Sequence, residues 1–347
     1  MENIRTEINE IGEFGLIDRI KSRTKTINSS TILGISDDAA VIDTGKTYTL
    51  FSTDMLLEGI HFDLSYAPLQ HLGYKSVVVN VSDIAAMNGQ PKQLTVSLGL
   101  SNRFSVEAVD AIYDGILKAC ENYKIDLVGG DTTASSSGLV MSISIIGEVG
   151  KNKLVKRKTA KVNDIICVTG DLGAAYIGLQ VLEREKQEYI ANPEMQPKLE
   201  GYDYIVRRQL IPEARMDIIH ELDELKIIPS SMIDVSDGLA SDLTHICKQS
   251  GLGANIYEDK VPYDQLTLQT AVEFKLDVIT CVMNGGEDYE LLFTIGQENF
   301  EKLKNHPDIH FIGYMQQKNK GINLITKSNQ AVPVKAQGWN HFNTGKK

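Results

Sequence analysis

The sequence predicts a two-domain chain of mixed α/β (α+β) class. It has 347 residues, 42% hydrophobic and 23% charged, which suits two soluble domains of ordinary size. Strand-like apolar runs and helical 3.6-period runs interleave along its whole length. A polar, basic stretch at 147–163, GEVGKNKLVKRKTAKVN, breaks that pattern before a new apolar strand, so the expected domains are 1–150 and 151–347.

The elements follow in order. Residues 1–30 read as a short helix and a polar stretch. ILGI (32–35), AAVID (39–43) and YTLFST (48–53) read as strands, with TGK (44–46) as a turn. VVVNVSDIAAM (77–87) is open: its β-branched run favours a strand, its alanines and methionine a helix. LTVSLGL (94–100) and LVMSISII (139–146) alternate like strands. Between them, 105–123 is an amphipathic helix capped by Ser105, with Val106, Val109, Ile112, Tyr113, Ile116, Leu117 and Cys120 as its apolar stripe. DLV (126–128) reads as a short buried strand. In the second half, IICVTG (165–170), SMID (231–234) and ELLFTI (290–295) read as strands. Residues 174–185, 218–225 and 239–250 read as helices, the last stopped by Gly251, and 186–204 as a surface insertion. Short strands are expected in the tail, 316–347.

Several function classes drop out. No apolar run approaches the roughly 18 residues a bilayer span needs, and the charged first residues do not suit a secretory signal. Cys120, Cys167, Cys247 and Cys281 lack CxxC spacing and fit reduced thiols, so a cytoplasmic protein is expected. A net charge of −11 argues against a nucleic-acid binder.

The informative pattern is acidic. GISDDAAV (34–41), FSTDM (51–55), VNVSDIAAM (79–87), VGGDTT (128–133), IDVSDGLASD (233–242) and NGGEDYEL (284–291) all place carboxylates at the ends of apolar runs beside Gly, Ser or Thr. Carboxylates delivered to one rim repel each other unless cations sit between them. Asp-rich oxygen sites suit Mg²⁺ or Mn²⁺, which often accompany phosphates. FSTD offers a hydroxyl, a backbone oxygen and a carboxylate from Ser52, Thr53 and Asp54. Asp83 reads either as a helix cap or as a buried acid needing a partner. Asp242 reads as the polar face of a helix and Glu290 as structural or solvated. AVIDTGKT (40–47) approaches a phosphate loop, but Ala40 replaces the first Gly and strand–turn–strand replaces strand–loop–helix, so it reads as a hairpin. A lone histidine such as His61 is more often structural, and Trp339 reads either as core or as a stacking surface.

Taken together, SDDAAV, STDMLLEGIHF, KSVVVNVSDIAAMNGQP, GGDTT, DVSDGLASDL, GGEDYELLF and the terminal GWNHF resemble the thiamine-monophosphate kinase family. That family belongs to the ATP-binding superfamily of aminoimidazole ribonucleotide synthetase, selenophosphate synthetase and a hydrogenase maturation protein. The resemblance implies a synthetase-like fold whose N-terminal domain forms a dimer-spanning β-barrel and whose C-terminal domain is α/β. It implies a homodimer that transfers the ATP γ-phosphoryl to thiamine phosphate, giving thiamine diphosphate. It implies several Mg²⁺ ions, with Mn²⁺ as a substitute, on Asp38, Asp54, Asp83, Asp131, Asp234 and Asp237, with oxygens from Ser52 and Thr53. Gly130, Asp131, Arg157 and Ser236 would contact ATP; His61, Glu287 and Trp339 would face thiamine phosphate. No covalent catalytic residue is implied. Ser36 replaces the Gly usual before the Asp pair and removes no ligand, while 186–204 departs from the common pattern. The sibling enzymes fit less well: a selenophosphate synthetase should carry a reactive Cys near its start, the hydrogenase maturation protein needs one at its end, and GIHF and GWNHF do not support the purine synthetase. A nucleotide sensor without turnover remains open at the level of residues alone.

Overall fold

A computed structural model describes residues 8–335. Helix α1 (Ile8–Arg23) precedes strands β1 (Thr31–Leu33), β2 (Ala40–Asp43) and β3 (Thr47–Leu57). β2 and β3 form an antiparallel hairpin whose turn is held by Gly45 N donating to Asp43 Oδ1 at 2.8 Å. No helix follows that turn, so the phosphate-loop likeness is a hairpin.

The open segment 77–87 lies in helix α2 (Leu69–Ala86). Val77, Val78, Val79, Val81 and Ile84 are all buried, so packing overrides the β-preference of the run. β4 (Gln90–Leu100), α3 (Val106–Tyr123), β5 (Asp126–Ala134) and β6 (Val140–Gly150) complete a six-stranded sheet of order β1-β2-β3-β6-β4-β5. β4 and β5 run parallel around α3, and the other pairs are antiparallel. α2 and α3 touch backbone to backbone: a Cβ at Gly73 would lie 2.0 Å from Ile112 O, and one at Gly115 1.9 Å from Gln70 O. Ser105 caps α3 as expected, accepting from Ala108 N at 3.3 Å. The stripe differs from the reading, because Val106 and Leu117 are exposed while Gly115 and Ala119 take the buried face. DLV is not a buried strand either. It opens β5, an exposed sheet edge along which Val128 is 60% exposed.

The second half contributes β7 (Ile165–Thr169), α4 (Ala174–Ala191), α5 (Asp203–Leu210), α6 (Met216–Glu224), β8 (Ser231–Asp234), α7 (Leu239–Ser250) and β9 (Leu252–Tyr257). Then follow α8 (Gln265–Glu273), α9 (Val278–Asn284), β10 (Leu291–Ile295), α10 (Phe300–Leu303), β11 (Ile309–Gln317), β12 (Ile322–Ile325) and β13 (Ala331–Pro333). The seven strands order as β13-β12-β9-β11-β7-β10-β8. The segment read as an insertion is partly regular: 186–191 continue α4 and 203–204 open α5, leaving 192–202 irregular. Neither sheet closes into a barrel among the described residues. No helix among them is long and apolar enough to cross a membrane.

One apolar core joins the halves, taking Ile84 and Met141 from the first and Ile218 and Phe293 from the second. α2 lies between the six-stranded sheet and β8. That position brings the polar end of an otherwise apolar helix against the end of a strand from the other half.

Candidate active site

Asp38 lies between β1 and β2, Asp83 in the last turn of α2, and Asp234 at the end of β8. Each offers a carboxylate oxygen within 4.8 Å of the others. Neighbouring hydroxyls hold them. Ser82 Oγ donates to Asp234 Oδ2 at 2.7 Å, and Ser52 Oγ donates to Asp83 Oδ2 at 2.5 Å. Arg157 grips Asp38 with two guanidinium hydrogens, Nε to Oδ2 at 2.9 Å and a terminal nitrogen to Oδ1 at 2.5 Å. Asp37 accepts from Arg157 N at 3.1 Å, and its Oδ2 is buried with no hydrogen-bond partner among the described residues.

The electrostatics are those of an under-compensated anionic cluster. Burial, then the neighbouring Asp38, pushes Asp37 up to about 7. Burial, then Asp38, pushes Asp234 up to about 7 against the Ser82 hydrogen bond and Arg157. Asp83 rises well above the carboxylate range through burial and the charges of Asp54, Asp234 and Asp38. Burial lifts Asp54 to about 6, against the pull of a hydrogen bond with Asp83. Two carboxyls that bond to each other must share a proton. Asp242 corrects the sequence reading: it is 1% exposed rather than on a polar helix face, accepts from Asp237 N at 3.3 Å, and is held well above the carboxylate range by burial and by Asp237 and Asp234.

A second loop meets the cluster edge. Glu287 N donates to Ser236 O at 2.7 Å, and Tyr289 N to Val235 O at 2.9 Å, so DVSDG and GGEDY lie back to back. A Cβ at Gly286 would come within 2.4 Å of Ser236 O, which explains that glycine. Glu287 itself has a positive φ of 59°. Its carboxylate receives Lys75 Nζ at 2.9 Å and Gln209 Nε2 at 2.8 Å. Lys75 and Gln209 line a cleft with His61, Phe62, Tyr66, Ala67, Leu72 and Leu210. His61 Nδ1 accepts from Leu57 N at 3.1 Å, which orients the ring beyond β3.

Of the residues singled out in the sequence, Asp38, Asp83 and Asp234 meet directly, with Ser52, Asp54 and Arg157 bonded or charge-coupled to them. Thr53 turns its hydroxyl elsewhere, towards Ile143 O (3.0 Å) and Ser144 Oγ (2.9 Å). Asp131 is exposed on β5, in register with Ser97 of β4. Gly130 has a packing reason, since a Cβ there would lie 1.8 Å from Val96 O. Trp339 and GWNHF lie outside the described residues. Sequence reasoning does not single out Lys75 or Gln209, and it assigns Asp242 to a polar helix face. Lys75 did carry a signal: it is the single Lys, Arg, Asp or Glu between Leu69 and Ser82.

The two-sheet α/β fold is of the AIR-synthase-related type. Residues 36–149 match the family model described as AIR synthase related protein, N-terminal domain. The thiamine-monophosphate kinase of Bacillus subtilis is 34% identical over 337 residues, covering 95% of this chain and 99% of that protein. That of Buchnera aphidicola subsp. Schizaphis graminum is 37% identical, covering 96% and 99%. The solved AaThiL complexed with AMPPCP and TMP superposes with a TM-score of 0.82 at 31% identity, covering 98% of this chain and 100% of that one. The chain belongs to the thiamine-monophosphate kinase family and is a kinase.

Proposed function

We propose that this chain transfers the γ-phosphoryl group of ATP to thiamine phosphate, giving ADP and thiamine diphosphate in thiamine diphosphate biosynthesis. The observation that carries this reading is the Glu287 N–Ser236 O bond, which ties the loop that follows Asp234 of the carboxylate cluster to the loop that carries Glu287. It gives a phosphate-handling site and a substrate-handling site a shared wall. The names of the relatives, and a relative's complex with AMPPCP and TMP, support it.

The donor set suits Mg²⁺. It is all hard oxygen, it is crowded with like charge, and it retains a buried unpartnered Asp37 oxygen beside it. Asp38, Asp54, Asp83, Asp131, Asp234 and Asp237, with Ser52 and a Thr53 oxygen, would hold several ions, with Mn²⁺ as a substitute. Bound there, the ions supply charge neutralisation for the transferring phosphoryl group. Gly130, Asp131, Ser236 and Arg157 are assigned to ATP, with Arg157 the cation nearest the cluster. His61 and Glu287 are assigned to thiamine phosphate.

The acceptor is a phosphate oxygen, already anionic near neutral pH, so no strong general base is required. Transfer is direct and in line, without a phospho-enzyme. ATP labelled in its γ-phosphoryl group tests this: label should pass to thiamine diphosphate with none on protein quenched in turnover. A labelled chain that forms and decays at the turnover rate would overturn it.

The outer face of the six-stranded sheet supports a homodimer. Phe51 of β3 and its cross-strand partner Ile146 of β6 are 41% and 37% exposed, and Met55 is 54% exposed. A second copy packed there would cover this apolar strip and complete a dimer-spanning barrel. Residues 1–150 then form the ATP-, metal- and dimer-forming domain and 151–347 the domain that completes the site. A cytoplasmic location accompanies this reading.

A further inference from the structure

We infer that Arg157 competes with divalent cations for Asp38, so that the chain's own guanidinium sets how tightly metal binds in the absence of nucleotide. The inference rests on the proposed function and deepens it by naming what regulates the same site. Arg157 takes both oxygens of Asp38: Nε donates to Oδ2 at 2.9 Å and a terminal nitrogen to Oδ1 at 2.5 Å. Among the described residues it is the one cation paired with any of Asp38, Asp83 and Asp234. The Asp38 side chain is 0% exposed and that of Arg157 18%. The guanidinium, and not the carboxylate, is the part of this pair that meets solvent.

The two ends of Arg157 are held differently. Its backbone is pinned by three hydrogen bonds: N donates to Asp37 Oδ1 at 3.1 Å, and O accepts from Ser231 Oγ at 2.7 Å and from Ser250 Oγ at 3.1 Å. Its guanidinium is held by Asp38, with Asp37 Oδ1 3.8 Å from Nε. The side chain can therefore leave Asp38 by rotating about its own bonds while its backbone stays in place. The adjacent acids divide the work: Asp37 anchors the residue and Asp38 engages its charge. A dication on either Asp38 oxygen would sit beside the like charge of the guanidinium, and in a buried site that repulsion is weakly screened. Metal and Arg157 thus bind Asp38 at each other's expense. A phosphate accepts the same planar fork of guanidinium donors as a carboxylate does. Nucleotide gives Arg157 that other partner and frees Asp38 for metal, so the two ligands bind with positive coupling.

The test is Mg²⁺ binding without nucleotide, read by calorimetric titration of the full chain after chelator treatment. Arg157→Gln should bind Mg²⁺ about tenfold more tightly than wild type, the scale of one charge-assisted hydrogen bond that metal no longer displaces. Arg157→Lys keeps the charge and loses the fork, so it should gain in the same direction by about threefold. This second variant carries the test if Arg157→Gln does not fold. In an Asp38→Asn background both gains should vanish. No gain in either variant would overturn the inference. So would an equal gain in the Asp38→Asn background, because it would mark a general effect of charge and not competition for Asp38. None of these readings uses the acceptor, so a chain that fails to turn over thiamine phosphate can still pass them. A wild type that binds no Mg²⁺, with or without AMPPCP, would remove the metal assignment and this inference with it.

Discussion

Two groups of buried acids, one at the end of β8 and one at the head of β10, behave differently. Asp38, Asp83 and Asp234 converge with hydroxyl partners and one nearby guanidinium, that of Arg157. Glu290, at the head of β10, is 1% exposed and fully matched: Arg208 reaches its Oε1 at 2.8 Å, Arg215 reaches Oε2 at 2.7 Å, and Thr169 Oγ1 donates at 2.5 Å. Asp288 beside it accepts from Gly173 N at 2.8 Å and Ala175 N at 3.4 Å, at the start of α4. A buried acid on its own is therefore weak evidence for a ligand. What separates the groups is whether the chain supplies the opposite charge. Where it does, the acids brace the fold; where it does not, the cluster is left for the cation that the proposed function assigns to it.

The difference can be broken from either side. The largest effect is expected at the matched group. Glu290→Leu removes the buried carboxylate that Arg208 and Arg215 share, leaving Arg215 with Asp217 and Asp308 and Arg208 with the Asp171 carbonyl, and should cost about 3 kcal/mol of stability, read from denaturant unfolding. A loss under 1 kcal/mol would mean that the remaining partners of the two arginines suffice. Asp83→Asn should do the reverse. It replaces a buried acid crowded by Asp54, Asp234 and Asp38 with a neutral amide of the same shape, so the metal-free melting temperature should hold or rise, while kcat should fall about 100-fold or more. Retained turnover at limiting Mg²⁺ would contradict that role.

Metal should sharpen the contrast next. Mg²⁺ at about 100 times its dissociation constant should stabilise the wild type by about 2.7 kcal/mol, and Asp83→Asn by much less. pH should then modulate the effect. A carboxyl with a raised folded pKa binds more protons folded than unfolded. Its contribution is full below the ordinary carboxylate range and is lost as pH rises through the raised value. Asp37 and Asp234 are each pushed up to about 7, by burial and then by the neighbouring Asp38. The gap in melting temperature between Mg²⁺ and chelator should therefore widen from pH 5 to pH 8, and a constant gap would argue against cation binding at this cluster. The smallest effect is expected at Ser82→Ala, which removes one hydrogen bond to Asp234 and should cost about 1 kcal/mol in the metal-free protein.

Much of this was legible in the sequence where local chemistry decides it. The hairpin at 40–47, the Ser105 cap and the Gly251 stop depend on a few neighbouring residues, and each formed as read. Three of the acidic segments, 34–41, 79–87 and 233–242, supply the carboxylates that converge, but the segments do not show which acids the chain itself matches. Asp242 lies within the same motif as Asp234, and the partners that match Glu290 come from distant elements: Arg208 lies 82 positions from it. Segment 77–87 stayed open because β-branched residues in a fully enclosed helix send the same signal as a buried strand. β5 was misread because an exposed sheet edge carrying Gly, Asp and Thr does not alternate. Lys75 and Gln209 meet across 134 positions, a separation that no local pattern encodes.

The most direct test measures ADP and thiamine diphosphate formed from ATP, with thiamine phosphate or thiamine as acceptor, over a titration of Mg²⁺ into chelator-treated protein. The account predicts equal amounts of ADP and thiamine diphosphate, only with thiamine phosphate, rising from zero with Mg²⁺. Turnover that persists without a divalent cation, or a preference for thiamine, would contradict it.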